Sequence, residues 1–210
     1  MGTKSTIKAV VFDFGNVIIN IDVEKTISAF AELSFKSSAR VKQLFTEAEV
    51  FRKYETGFYA DDEFRDVIRQ VLSYPLNDQE IDHAWNALLL DVPKKRLDFI
   101  ENLKLKYPVY LLSNTNNIHI EQCKSYFRNA FGIANFELLF NETFLSYKMG
   151  LWKPDYKIYD AVINKIDLSP QEILFVDDNQ DNVDAAADMG IQCIKINPPE
   201  CFTDTLQHIL

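Results

Sequence analysis

"VVFDFGNVIIN", residues 10–20, opens as a buried strand and then breaks its own pattern. Val10, Val11 and Phe12 are β-branched or aromatic and apolar at successive positions, which suits a strand covered on both faces. Asp13 interrupts that run, and two positions later Gly15 carries no side chain at all. The end of this strand is therefore where chemistry is expected.

Four further segments have the same character: "PVYLLSN" (108–114), "NFELLF" (135–140), "EILFVDD" (172–178) and "QCIKIN" (192–197). Amphipathic helices lie between them. Those at residues 93–106 and 154–167 are expected to carry a proline in their first turn, and that at 181–190 ends in Gly190, suited to a C-cap. Strand–helix alternation predicts an α/β fold with a doubly wound parallel sheet. Residues 21–91 depart from it. Phe64, Val67, Ile68, Val71 and Leu72 share one helical face, as do Ile81, Trp85, Leu88 and Leu89, and no strand is evident. The chain thus divides into a core, residues 1–20 and 92–210, and an all-helical insertion, residues 21–91.

With 210 residues and 47% hydrophobic content, the chain is long and apolar enough for a sizeable core. Its net charge of −9 speaks against nucleic acid or an anionic membrane surface as partner. Cys123, Cys193 and Cys201 are sparse and lack metal-site spacing, as expected in a reducing, cytoplasmic setting. His83, His119 and His208 are isolated, so no zinc site is expected, and each reads as a surface or core-edge residue. No run is apolar enough to span a membrane. The first apolar stretch contains Asp13, so no signal peptide is expected. "MGTKST" (1–6) matches an N-myristoylation pattern only in its short, loose form.

In an open parallel sheet, ligands bind beyond the carboxyl ends of the strands, where strand order reverses. At those ends stand Asp13, then Ser113, Asn114 and Thr115, then "SYKMGLWKPD" (146–155) with Lys148 and Lys153, and finally Asp177 and Asp178. One acid ending a strand is usually a turn or cap residue, but this many polar groups at strand ends point to a site. Clustered carboxylates need a cation, and oxygen ligands suit Mg²⁺. A lysine with hydroxyl and amide donors suits a phosphoryl group, and a carboxylate can attack phosphorus.

These residues resemble the haloacid dehalogenase superfamily, in the subfamily with a helical cap inserted after the first strand. All four of its motifs occur in order, at "VVFDFGN", "LLSNT", "WKPD" and "FVDDNQDN". The resemblance implies a Rossmann-like core with a helical cap and a Mg²⁺-dependent hydrolase acting through an aspartyl-phosphate. Asp13 would be the nucleophile, Ser113 and Asn114 would bind the phosphoryl group, and Lys153 would neutralise charge. Asp178 would bind the metal directly and Asp177 directly or through water, joined by Asp13 and the Gly15 backbone carbonyl. Lys148 is the weaker candidate lysine, Asp181 is as readily a helix N-cap as a site residue, and Asp22 reads as the cap of the following helix. Trp152 and Phe14 are candidates for touching substrate, with burial the default for both. Within the family, "FDFGNVIINID" and "LLSNTN" resemble bacterial glucose 1-phosphate phosphatases, with the phosphatase domain of epoxide hydrolases more distant. The implied substrate is a small phosphorylated metabolite such as a sugar 1-phosphate, handled by a monomer or homodimer.

Most phosphatases of that family carry a second Asp where Gly15 stands, to protonate the leaving oxygen. Its absence leaves three readings. The substrate has a leaving group that needs little protonation, or the enzyme is a 2-haloacid dehalogenase, or the protein is a weakly catalytic phosphate-binding or regulatory relative. The acidic pair counts against dehalogenation, which needs no metal. A receiver-type signalling domain, which also pairs acids with a lysine, has its acidic pair early in the chain and no helical insertion.

Overall fold

The computed structural model describes residues 7–198 and 201–210, so the lipidation pattern at residues 1–6 lies outside the described residues. After β1 (Ala9–Phe12) come five helices: α1 (Val23–Ser34), α2 (Ser38–Glu47), α3 (Val50–Glu55), α4 (Asp61–Leu72) and α5 (Asp78–Asn86). The chain continues with α6 (Lys94–Lys104), β2 (Val109–Ser113), α7 (Asn117–Phe131), β3 (Glu142–Leu145) and the short α8 (Ser146–Met149). It ends with α9 (Tyr156–Ile166), β4 (Ile173–Asp177), α10 (Gln180–Asp188), β5 (Gln192–Lys195) and α11 (Phe202–Leu206).

The five strands form one parallel sheet in the order β3-β2-β1-β4-β5, with Val10 opposite both Val109 and Leu174. Successive side chains go to opposite faces. Val10, Phe12, Leu174 and Val176 pack under α6, α7 and α11, whereas Val11, Ile173 and Phe175 pack against α9 and α10. Both faces of the three central strands are covered, so β1, β2 and β4 read as largely apolar runs. The edge strands β3 and β5 are partly exposed and carry Glu142, Thr143, Gln192 and Lys195. Strand order reverses between β1 and β4, and the crevice beyond their carboxyl ends is the ligand site this topology builds.

The α1–α5 segment has its own apolar cluster, centred on Phe30, Phe45, Phe64 and Trp85. On α4, Phe64, Ile68 and Leu72 are buried while Val67 and Val71 are half-buried. Asp22 caps α1, accepting the Glu24 N–H at 3.1 Å. The ways into and out of this segment lie side by side: Ile21 bridges Leu89, and the Asn20 N–H donates to the Asp91 carbonyl at 2.9 Å. Buried Arg96 donates to the Ile18 carbonyl (3.1 Å) and to Asn20 Oδ1 (2.9 Å), fixing the strand-to-helix passage from the core side.

Three expectations are corrected. Residues 135–140 are not a strand. Asn135 accepts the Glu137 N–H at 3.1 Å and starts a 3-10 turn over Phe136–Leu139 that buries Phe136 and Leu139 and leaves Leu138 exposed. That is a three-residue period, and the strand follows at β3. The prolines sit just before their helices: Pro93 is the N-cap of α6, and Pro154 precedes Asp155, which caps α9 by accepting the Lys157 N–H at 3.0 Å. His119 is a core residue, with its ring stacked on Trp85 and both ring nitrogens bonded, Nδ1 to Asn116 (2.9 Å) and Nε2 to the Trp85 carbonyl (3.1 Å). Burial holds its imidazole down at about 4, well below the usual histidine range. The expected glycine stop of α10 is present one residue further on: Met189 is the C-cap and Gly190 follows it at φ +86°.

Candidate active site

Asp13 leaves β1 at the switch point, its N–H held by the Val176 carbonyl of β4 at 2.8 Å. Lys153 reaches it from the loop before α9. Its buried Nζ donates to Asp13 Oδ1 at 2.6 Å and to Asp177 Oδ2 at 2.7 Å. Burial alone would lower the lysine, but carboxylates on two sides hold it above its usual value and so charged. Burial pushes the Asp13 carboxyl up to about 7 against the pull of Lys153, and Asp177 adds to the push. Asp178 completes the group: ligand oxygens of Asp13, Asp177 and Asp178 lie within 4.8 Å of one another. Three carboxylates share one ammonium here, and that excess of negative charge, on hard oxygen donors, fits a divalent cation such as Mg²⁺.

The acids are not equivalent. Asp177 is fully buried and both its oxygens are engaged, with Lys153, with Asn182 Nδ2 (3.1 Å to each oxygen) and with the Asn179 N–H (2.8 Å). Asp178 lines a cleft of about 580 Å³ together with Asp13, Gly15, Asn114 and Lys153. Burial raises its carboxyl, and Asn16 Nδ2, donating at 3.0 Å, works against that rise.

Asn16 went unread in the sequence. It adopts φ +57°, which asparagine tolerates better than most residues, and its Oδ1 accepts the Ile21 N–H at 3.2 Å while its Nδ2 holds Asp178. It ties the acidic pair to the start of the helical insertion across 162 residues. An asparagine in a turn carries no signal for such a reach. Asn182 is likewise visible only as a polar residue beside the acidic pair.

Asn114, expected to bind the phosphoryl group, has its side chain engaged within the site. Its side-chain amide pairs with the backbone of Lys153, Oδ1 accepting the N–H (2.9 Å) and Nδ2 donating to the carbonyl (3.0 Å). Among the described residues the buried Ser113 hydroxyl has one hydrogen-bond contact, donating to the Asn114 carbonyl at a long 3.4 Å. The N-cap of α10 is Asn179, accepting from Asp181 and Asn182, and Asp181 stands exposed in the first turn. Lys148 is exposed on α8, and Phe14 is buried and stacked on Phe136.

Residues 7–190 match the family of haloacid dehalogenase-like hydrolases. The chain belongs to that family. This hydrolase is 32% identical over 204 residues to the D-ribitol-5-phosphate phosphatase of Bacteroides thetaiotaomicron, covering 97% of each chain. A haloacid dehalogenase family enzyme from the same organism, solved as a complex with magnesium and inorganic phosphate, superposes with a TM-score of 0.85 at 36% identity, over 95% of this chain and 98% of that one. The L-2-haloacid dehalogenase of Xanthobacter autotrophicus shares the fold, at 19% identity and a TM-score of 0.61 over 91% of this chain and 78% of that one.

In this haloacid dehalogenase-like hydrolase, the space beside Gly15 is not empty. A Cβ added there would lie 2.8 Å from Ile21 Cδ1, so an isoleucine methyl occupies the place of a side chain. Gly15 is not among the glycines with positive φ, so its backbone is open to any L-residue. For a Gly15→Asp substitution the obstacle is therefore a movable methyl group and not backbone strain.

Proposed function

We propose that this hydrolase is a Mg²⁺-dependent phosphatase that cleaves a small sugar or polyol phosphate through an aspartyl-phosphate formed on Asp13. The observation that carries the proposal is Lys153, held between Asp13 and Asp177 with Asp178 facing the same cleft. In this reading an Asp13 carboxylate oxygen attacks phosphorus, and Lys153 offsets the repulsion between that carboxylate and the incoming dianion. Ser113 and the backbone at Asn114 receive the phosphoryl oxygens, while the Asn114 side chain fixes Lys153. Asp13, Asp178 and the Gly15 carbonyl would hold Mg²⁺, with Asp177 supporting from behind because its oxygens are already engaged. Bound there, Mg²⁺ would offset charge on the transferring phosphoryl oxygens.

The likeness to a phosphatase named for ribitol 5-phosphate supports a phosphorylated sugar or polyol as substrate, and sugar 1-phosphates fall in the same class. Residues 1–20 and 92–210 act as the catalytic core and residues 21–91 as a cap over it. No helix among the described residues is long and apolar enough to cross a membrane, and the protein is proposed to work in the cytoplasm as a monomer or homodimer. A dehalogenase would share the missing acid at Gly15, but the three-carboxylate cluster speaks for a metal-assisted reaction. The test is release of inorganic phosphate from a panel of sugar and polyol phosphates with Mg²⁺ and with EDTA. Turnover should require Mg²⁺. Halide release from 2-haloacids in metal-free buffer would overturn the reading.

A further inference from the structure

A second cavity, about 100 Å³ and more enclosed, adjoins the catalytic cleft, sharing Gly15, Ile21 and Asn114 with it. Its floor is the core, with Gly15, Ser113 and Thr115, and its roof is the helical insertion, with Phe51 and Glu55 of α3. Glu55 is half-buried at the last position of α3, and its Oε2 accepts the Nε1–H of Trp152, the residue before Lys153, at 3.0 Å. Its Oε1 makes no hydrogen bond among the described residues. Two residues on, Gly57 brings the insertion so close to the Tyr147 carbonyl that a Cβ would stand 2.3 Å from that oxygen. The end of α3 is thus held against the core at two points, the Glu55 carboxyl by Trp152 and the backbone at Gly57 by Tyr147.

In-line displacement at phosphorus sends the leaving oxygen away from the attacking carboxylate. Asp13 follows the carboxyl end of β1, the central strand, and the smaller cavity beside it is roofed by Phe51 and Glu55, so the insertion stands on the side open to the leaving oxygen. Of the acids lining the two cavities, Asp13 and Asp178 already have parts in the proposed reaction, and Asp181 stands on the sheet side in the first turn of α10. His119 lines the smaller cavity but has both ring nitrogens engaged and is held neutral, and burial pushes the Cys123 thiol there up to about 12. Glu55 is the one acid contributed by the insertion.

We propose that Glu55 is the general acid of this enzyme, supplying from the insertion the proton that Gly15 cannot supply from the core. This rests on the phosphatase reading above. As the P–O ester bond breaks and the Asp13 Oδ–P bond forms, the Glu55 carboxylic proton passes to the departing oxygen, releasing a neutral alcohol and leaving Glu55 as carboxylate. Water then attacks the aspartyl-phosphate and yields its proton to Glu55, while the Asp13 Oδ–P bond breaks to give phosphate and restore both carboxyl groups. Burial supports the role by raising the Glu55 carboxyl to about 7, against the Trp152 hydrogen bond and the charge of Lys153. An acid of that strength is substantially protonated at neutral pH. A primary polyol phosphate, with its poor alkoxide leaving group, needs such a proton.

The experiment is single-turnover phosphorylation of Asp13 in the wild-type and Glu55→Gln enzymes, with Mg²⁺, using glycerol phosphate and para-nitrophenyl phosphate. An amide cannot donate this proton, but nitrophenolate leaves without one. The Glu55→Gln loss should therefore be about 10²–10⁴-fold greater for glycerol phosphate than for the nitrophenyl ester. Glu55→Asp should recover part of that difference, which a folding defect would not allow. Equal losses for the two esters, a change confined to KM, or no change at all would overturn Glu55 as the acid while leaving the phosphatase reading in place. Failure of wild-type enzyme to phosphorylate Asp13 from either ester would instead be a failure of the phosphatase reading.

Discussion

Asn114 grips Lys153 by the backbone, its Oδ1 accepting the lysine N–H at 2.9 Å and its Nδ2 donating to the lysine carbonyl at 3.0 Å. A side-chain amide thereby does for the loop before α9 what a strand neighbour does for a strand. It sets where the Lys153 ammonium enters the space between Asp13 and Asp177.

Asn114→Ala removes both bonds. The unfolding free energy should fall by about 1–3 kcal/mol, and kcat should fall about 10²-fold as Lys153 drifts from its place. Steady-state kinetics beside urea unfolding separate the two effects. Wild-type kcat in a folded variant would mean that the loop holds itself.

Gly57 is restricted twice, by φ +70° and by the Tyr147 carbonyl. Gly57→Ala should cost more than about 1 kcal/mol of stability, because the contact is with backbone and cannot yield by a rotamer change. It should also lower activity by lifting α3 from the site, measurable by thermal unfolding and kinetics on one preparation. Unchanged stability would contradict the close approach.

The two neighbouring acids should behave differently on mutation. Asp178→Asn should raise the half-saturating Mg²⁺ concentration by at least about tenfold. Asp177→Asn should principally destabilise, by about 3–5 kcal/mol, since it breaks a fully buried pair with Lys153. Mg²⁺ titration of activity and urea unfolding of each variant read the contrast, and identical phenotypes would erase the distinction.

His119 should give stability an acid limb. Its folded value, about 4, lies below the ordinary 6.5. Above pH 6.5 the imidazole is neutral in both states and its contribution is fully present. As pH falls through about 6.5 the unfolded chain binds a proton that the folded chain refuses until about 4, so stability is lost across that window, by about 3 kcal/mol in all. Urea midpoints at several pH values should show a steeper acid decline for wild type than for His119→Phe. Parallel declines would mean that His119 titrates normally.

Much of this architecture is legible in the chain because burial on both faces leaves a local mark. β1, β2 and β4 declare themselves as short apolar runs, and β5 as a short edge strand carrying Gln192 and Lys195. Asp13, Lys153, Asp177 and Asp178 stand where such runs end or where a motif surrounds them. Residues 135–140 misled because the apolar content of a 3-10 turn matches that of a short strand, and only the exposure of Leu138 tells the periods apart. Asn16 and Glu55 were missed for another reason. Each works through a partner distant in sequence, Asp178 and Trp152 respectively, and no local pattern encodes that distance. The clamp made by Asn114 is hidden likewise, since the motif names the residue but not which atoms it binds.

Covalent chemistry at Asp13 is decided by an acid-quenched single turnover with radiolabelled sugar phosphate and Mg²⁺, followed by proteolysis and mapping of the labelled peptide. Label should appear on the peptide containing Asp13 and disappear in Asp13→Asn, a nearly isosteric change that removes the attacking carboxylate. Turnover with no label at Asp13, or an Asp13→Asn enzyme retaining a large fraction of wild-type activity, would contradict it.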